Sequence, residues 1–193
     1  RLLILLLAVG LIPLALMGGM ALWKAGSALS QQTFGHLESM REIKKDFLVA
    51  YFELLESQLR VLRDDPNTGR GIADFNRLSV ESGGDVTTPQ WKEAAAGYDP
   101  HFKDILQDNQ WHDMMLINTE GRIVYSVLRA SDLGLVIPAS GLKDSSLGDA
   151  FVQVKRRDTV LSDFAPYAPA RGTPTGFAMA RVKADSGQTA GYV

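Results

Sequence analysis

The chain has 193 residues, 46% of them apolar, with 20 basic and 22 acidic side chains for a formal net charge of -2. A near-neutral chain has no field with which to hold nucleic acid by bulk charge. The absence of cysteine excludes disulfides, thiolate catalysis and cysteine-type zinc sites together.

The opening residue is Arg1 and the last are Gly191-Tyr192-Val193, inside an expected strand, so the chain reads as a fragment of a longer protein. From Leu2 to Trp23 it carries no charge. As a helix this run spans roughly 33 Å, enough for a hydrocarbon core of about 30 Å, and it predicts a transmembrane helix over residues 1–24. A cleaved signal peptide has a shorter apolar run, and Lys24 interrupts the approach to the small residues Ala25-Gly26-Ser27-Ala28. Trp23 and Lys24 suit an interfacial anchor, while charge alone leaves the orientation open.

Between Gln31 and Asp65 there is no proline, and Met40, Ile43, Phe47, Tyr51, Leu55, Leu59 and Leu62 recur at steps of three and four. That spacing predicts one amphipathic helix of about 50 Å, ending near Asp64-Asp65-Pro66-Asn67. Its stripe packs on its own domain, or part of it pairs with a second subunit. Two short helices follow, Ile72 to Leu78 and Pro89 to Ala96, separated by the loop Ser82-Gly83-Gly84-Asp85. Residues 25–110 thus read as a helical stalk and a helical layer.

After Trp111 the period changes. Met114 to Ile117 reads as a buried strand, Asn118-Thr119-Glu120-Gly121 as a tight turn, and Arg122 to Leu128 as a second strand with Ile123, Tyr125 and Val127 on one face. Leu142 to Val154 has helical spacing, and Thr159 to Ala165, Thr175 to Val182 and Thr189 to Val193 read as three further strands. Two strands, a helix and three strands make an antiparallel sheet with helical cover, an α+β layout.

The run from Asp113 through Asn118-Thr119-Glu120-Gly121 to Val127 resembles the extracytoplasmic Cache (PAS-like) sensor domains of bacterial methyl-accepting chemotaxis proteins. Lys143-Asp144-Ser145-Ser146-Leu147 is similar to the start of that family's connecting helix, and Asp163-Phe164-Ala165-Pro166-Tyr167-Ala168-Pro169 to the strand and turn that follow. The resemblance implies a sensor domain over 111–193, truncated at its C-terminus and lying outside the cytoplasm at the bacterial inner membrane. It further implies a second membrane helix and an output domain beyond this chain that reaches cytoplasmic signalling proteins. Sensor kinases and cyclases carry similar sensors.

No enzyme chemistry is legible. His36, His101 and His112 are scattered without a His-Glu-x-x-His pair, and Ser140-Gly141-Leu142-Lys143 lacks the partner motifs of serine acyl enzymes. No cofactor or metal is expected, and a membrane-anchored enzyme or a structural dimerisation module stand as alternatives. For a small-molecule sensor, working as a homodimer, the expected ligand residues face a pocket between the sheet and its loops. Tyr125, Tyr167 and Phe177 would form walls, Asp163 can pair with an amine, and Arg129 or Arg181 can hold a carboxylate. Packing in the core, or capping of a turn by Asp163, would account for the same residues.

Overall fold

The structure, a computed structural model, describes residues 17–20, 24 and 40–193. Two compact units divide the chain, Arg1–Phe52 and Glu53–Val193. Helix α1 covers residues 40–64 and ends at Asp65, whose carboxylate accepts the Asn67 backbone N–H at 2.8 Å and so caps the next helix, α2, Pro66–Glu81. Pro66 stands at the first helical position, where its missing N–H costs nothing. Helix α3, Pro89–Asp108, repeats the device, with Thr88 accepting from Trp91 N at 3.2 Å.

Then come β1, Met115–Asn118; β2, Ile123–Ser126; two 3-10 turns, Ile137–Ala139 and Gly141–Asp144; α4, Ser146–Val154; and β3, Thr159–Leu161. A small hairpin, β4 (Ala165–Tyr167) with β5 (Thr173–Thr175), precedes β6, Ala178–Lys183, and β7, Thr189–Tyr192. The main sheet is antiparallel in the order β2-β1-β7-β6-β3. Its last strand is therefore central, hydrogen-bonded to the first on one side and to β6 on the other.

Alternation along the strands sends side chains to two separate cores. Leu116, Ala180, Val182 and Val193 join Ile72, Phe75, Trp91 and Phe102 beneath α2 and α3. Ile117, Met179 and Tyr192 join Leu147, Phe151 and Val154 beneath α4. The turn after β1 matches expectation: Gly121 N donates to Asn118 O at 3.0 Å, and Gly121 takes a positive φ of 91°. A side chain there would also strike the Phe151 ring.

The α+β layout with an antiparallel sheet is observed, and three expectations are corrected. Among the described residues no helix is long and apolar enough to cross a membrane. Most of the span expected over 1–24 falls on residues 1–16 and 21–23, outside the described ones, as does the stretch 25–39 of the expected stalk. No long stalk is seen either: the described residues between 25 and 110 form three separate helices, and the end of the apolar stripe, Leu59 and Leu62, is consumed by the domain's own core.

The third correction concerns β2. Leu116 pairs with Tyr125 while Ile117 pairs with Ile123, leaving Val124 as a bulge. The extra residue reverses the phase, so Ile123 faces the α4 core and Tyr125 and Val127 the opposite one. The helices also differ in extent. Both α2 and α3 outrun their expected lengths, α3 continuing past Pro100 because Phe102 beyond it is fully buried. In contrast, α4 begins late, at the cap where Ser145 Oγ accepts from Gly148 N at 3.4 Å.

Gly148 gives a direct check on how α4 is seated. A β-carbon at this position would lie 2.2 Å from the Lys143 carbonyl oxygen, against backbone that cannot step aside. Gly148→Ala is expected to destabilise the domain by about 1–3 kcal/mol, read as a lowered urea midpoint with an unchanged slope.

Candidate functional site

Two polar clusters flank the β2 edge of the sheet. On the α3 side, Asp99 accepts both of its oxygens' bonds from Arg129 Nη2 at 2.7 Å, one from Tyr125 Oη at 2.8 Å, and one from Lys103 Nζ at 3.1 Å. The Arg129 guanidinium also lies 5.6 Å from the centre of the Trp91 ring and 6.0 Å from that of Tyr125. Trp91 Nε1 in turn donates to the Val124 carbonyl at 2.9 Å. Every group here has a partner, and the cluster ties α3 to β2 as a latch.

The second cluster is built differently. After β2 the chain folds back along the open edge of that strand: Ile123 N donates to Leu135 O at 3.0 Å and Gly134 N to Ile123 O at 2.8 Å. This return places Asp132 in a tight turn with its side chain fully buried. The hydroxyl of Tyr167, from the β4–β5 hairpin, donates to Asp132 Oδ2 at 2.7 Å. Oδ1 of the same carboxylate is buried and has no hydrogen-bond donor among the described residues. Burial pushes the Tyr167 hydroxyl far above its ordinary value of 10.0, and the Asp132 bond adds to the rise.

Asp113 precedes β1 and bonds to the end of β2 and the residues after it. Its Oδ1 accepts from Met114 N at 2.7 Å and Leu128 N at 3.0 Å, and its Oδ2 from Ser126 Oγ at 2.7 Å. Burial raises its carboxyl above the ordinary 3.8. The three bonds oppose that rise, and the charge of Asp132 reinforces it. No lysine, arginine or histidine forms an ion pair with Asp113 or Asp132 among the described residues.

The sequence-derived site residues divide among these places. Tyr125 and Arg129 belong to the Asp99 latch, on the opposite core from Tyr167. Tyr167 and Phe177 are together, their rings edge to face with centroids 4.9 Å apart. Arg181 is elsewhere, donating through Nη2 to the Val154 and Arg157 carbonyls at 3.0 and 2.9 Å at the C-terminal end of α4, where a cation is favoured. Asp163 is exposed between β3 and β4 and joins none of these groups. Asp99, Asp113 and Asp132 were not singled out from sequence. Nothing local marks Asp132, because Ser131-Asp132-Leu133-Gly134 reads as an ordinary solvent turn.

No group of three or more metal-ligating side chains occurs among the described residues. No protein-family model matches the chain, and no curated protein is significantly similar to it.

The latch carries a pH signature. Burial works to raise the Asp99 carboxyl, but the bonds from Arg129, Tyr125 and Lys103 outweigh it and hold the group below its ordinary 3.8. A carboxyl depressed in the folded state contributes stability that is full above the unfolded value and is lost as pH falls through the folded one. Asp99→Asn is therefore expected to cost about 1.5–3 kcal/mol at neutral pH, with the gap to the native chain closing in strong acid, as read by urea unfolding at a series of pH values.

Proposed function

We propose that this chain is a small-molecule sensory module, the ligand-sensing extracytoplasmic region of a bacterial chemoreceptor whose output domain lies outside the chain. The observation that carries the reading is the buried Asp132 carboxyl group, whose Oδ2 accepts from Tyr167 and whose Oδ1 has no donor among the described residues, beneath a hairpin that belongs to no larger sheet. A buried polar atom left without a hydrogen bond costs about 1–3 kcal/mol, which a ligand bound there would offset. The α+β layout, with two strands of the main sheet before α4 and three after it, supports the same reading, as do the quoted runs beginning at Asp113, Lys143 and Asp163. Coupling to cytoplasmic signalling proteins rests on that resemblance alone. A thermal-shift screen of the chain against amino acids, organic acids and amines tests the proposal. A bound compound at about 100 times its dissociation constant adds about 2.7 kcal/mol, and a folded chain that responds to none of the three classes would return the reading to a structural module.

The same module works as a homodimer. Met40, Ile43, Phe47, Tyr51 and Leu54 follow one another at helical spacing on α1 and are each between 50% and 70% exposed. A run of large apolar side chains in water at steps of three and four is the surface a second copy of the helix fits. Sedimentation equilibrium is expected to show a dimer that Phe47→Glu converts to monomer without loss of helix content. A native chain that stays monomeric at all concentrations removes this part of the proposal.

A further inference from the structure

The buried carboxylate also defines the chemistry of what it would hold. We infer that Asp132 Oδ1 is the anchor for the ammonium group of a small aliphatic amine, bound beneath the β4–β5 hairpin. The inference rests on the sensory reading above and narrows it to one ligand class.

Charge is the first argument. Asp132 is buried, and no basic side chain forms an ion pair with it among the described residues. An anionic ligand would set a second acidic group against this carboxyl in a site from which water is excluded. A cation takes the place of the missing counter-charge.

Coordination is the second. Both Asp113 oxygens already accept bonds, three in all, and Asp132 Oδ2 accepts from Tyr167. One open acceptor remains, Asp132 Oδ1. A calcium ion takes six to eight oxygen ligands, so a single open oxygen does not make a metal site. It does make a site for one charge-assisted N–H···O bond, among the strong ones available to a protein.

The surroundings fit the rest of such a molecule. Tyr167 and Phe177 present aromatic surface, which attracts a cation as well as alkyl groups, and the α4 core beside them is apolar. An amino acid would bring its own carboxylate into the same buried site, and no arginine bonds to Asp132 or Tyr167 to receive it. The chemistry therefore favours an amine without an acid group. The hairpin that roofs the site holds to Asp132 through the Tyr167 hydroxyl, so occupancy at Oδ1 and the seating of the hairpin are linked through one carboxylate.

Titration calorimetry of the whole chain tests this with ethylammonium, butylammonium and 1,4-diaminobutane as probes, and butyrate and tetramethylammonium as controls. The amines are expected to bind, butyrate not to bind, and tetramethylammonium, which has the charge but no N–H, to bind more weakly. Asp132→Asn, checked for folding by near-ultraviolet circular dichroism, is expected to weaken amine binding by about 10- to 100-fold. Tyr167→Phe keeps the carboxylate and removes only the bond at Oδ2 that seats the hairpin, so it is expected to weaken amine binding less than Asp132→Asn does. Equal affinity in Asp132→Asn, a greater loss in Tyr167→Phe than in Asp132→Asn, or tetramethylammonium binding as tightly as the amines each overturns the anchor. Binding of acids alone in the wider screen overturns the amine class and leaves the sensory reading standing, whereas silence from every class removes both.

Discussion

Val124 is an extra residue in the pairing of β1 with β2, and the arrangement of both cores depends on it. Upstream of the bulge Ile123 faces Ile117 and belongs to the α4 core; downstream Tyr125 faces Leu116 and belongs to the core beneath α2 and α3. A strand buried on both faces tolerates this, since Ile123, Val124 and Tyr125 each meet an apolar core whichever way they point. The bulge is held by Trp91, whose indole N–H bonds to the Val124 carbonyl. One helix of the layer thereby sets the phase of the edge strand.

Tyr125 illustrates the consequence. With the phase reversed, its ring stacks on Phe75 at 4.9 Å and its hydroxyl reaches Asp99, completing the latch with Arg129. The opposite face is left without a tyrosine from β2. Tyr167 fills that role from the β4–β5 hairpin and meets a carboxylate, Asp132, that has no basic partner among the described residues. The two clusters use the same pair of groups, a buried tyrosine and an aspartate, with opposite electrostatic outcomes. Arg129 and Lys103 neutralise Asp99, and nothing of that kind neutralises Asp132. A satisfied cluster rigidifies a fold, whereas an unsatisfied one is retained at a cost that a ligand can offset.

The closing of the sheet adds a second constraint. The last strand of the chain, β7, lies between β1 and β6, and its end contributes to both cores, through Tyr192 on one face and the following Val193 on the other. Neither core is complete until the C-terminal residues are in place, so each depends on contacts distant in sequence. Such topologies fold more slowly than helical ones of equal size.

Local chemistry alone determined much of this. The stop at Asp65-Pro66, the tight turn closed by Gly121 and the loop at Ser82-Gly83-Gly84-Asp85 each follow from a backbone requirement met by neighbouring residues, whereas the β4–β5 hairpin interrupts the three strands expected after the helix. Tertiary structure decided the rest. Pro100 remains inside α3 because burial of Phe102 beyond it outweighs the broken bond, the apolar stripe of α1 turns from solvent to core between Tyr51 and Leu59, and the bulge at Val124 parts Tyr125 from Tyr167. Asp132 is the clearest case, a turn aspartate by its neighbours and a buried, half-partnered carboxyl group in the fold, where Tyr167, 35 residues later, reaches it. Burial belongs to whatever packs against a residue, and no window of sequence around Asp132 contains the hairpin that does so.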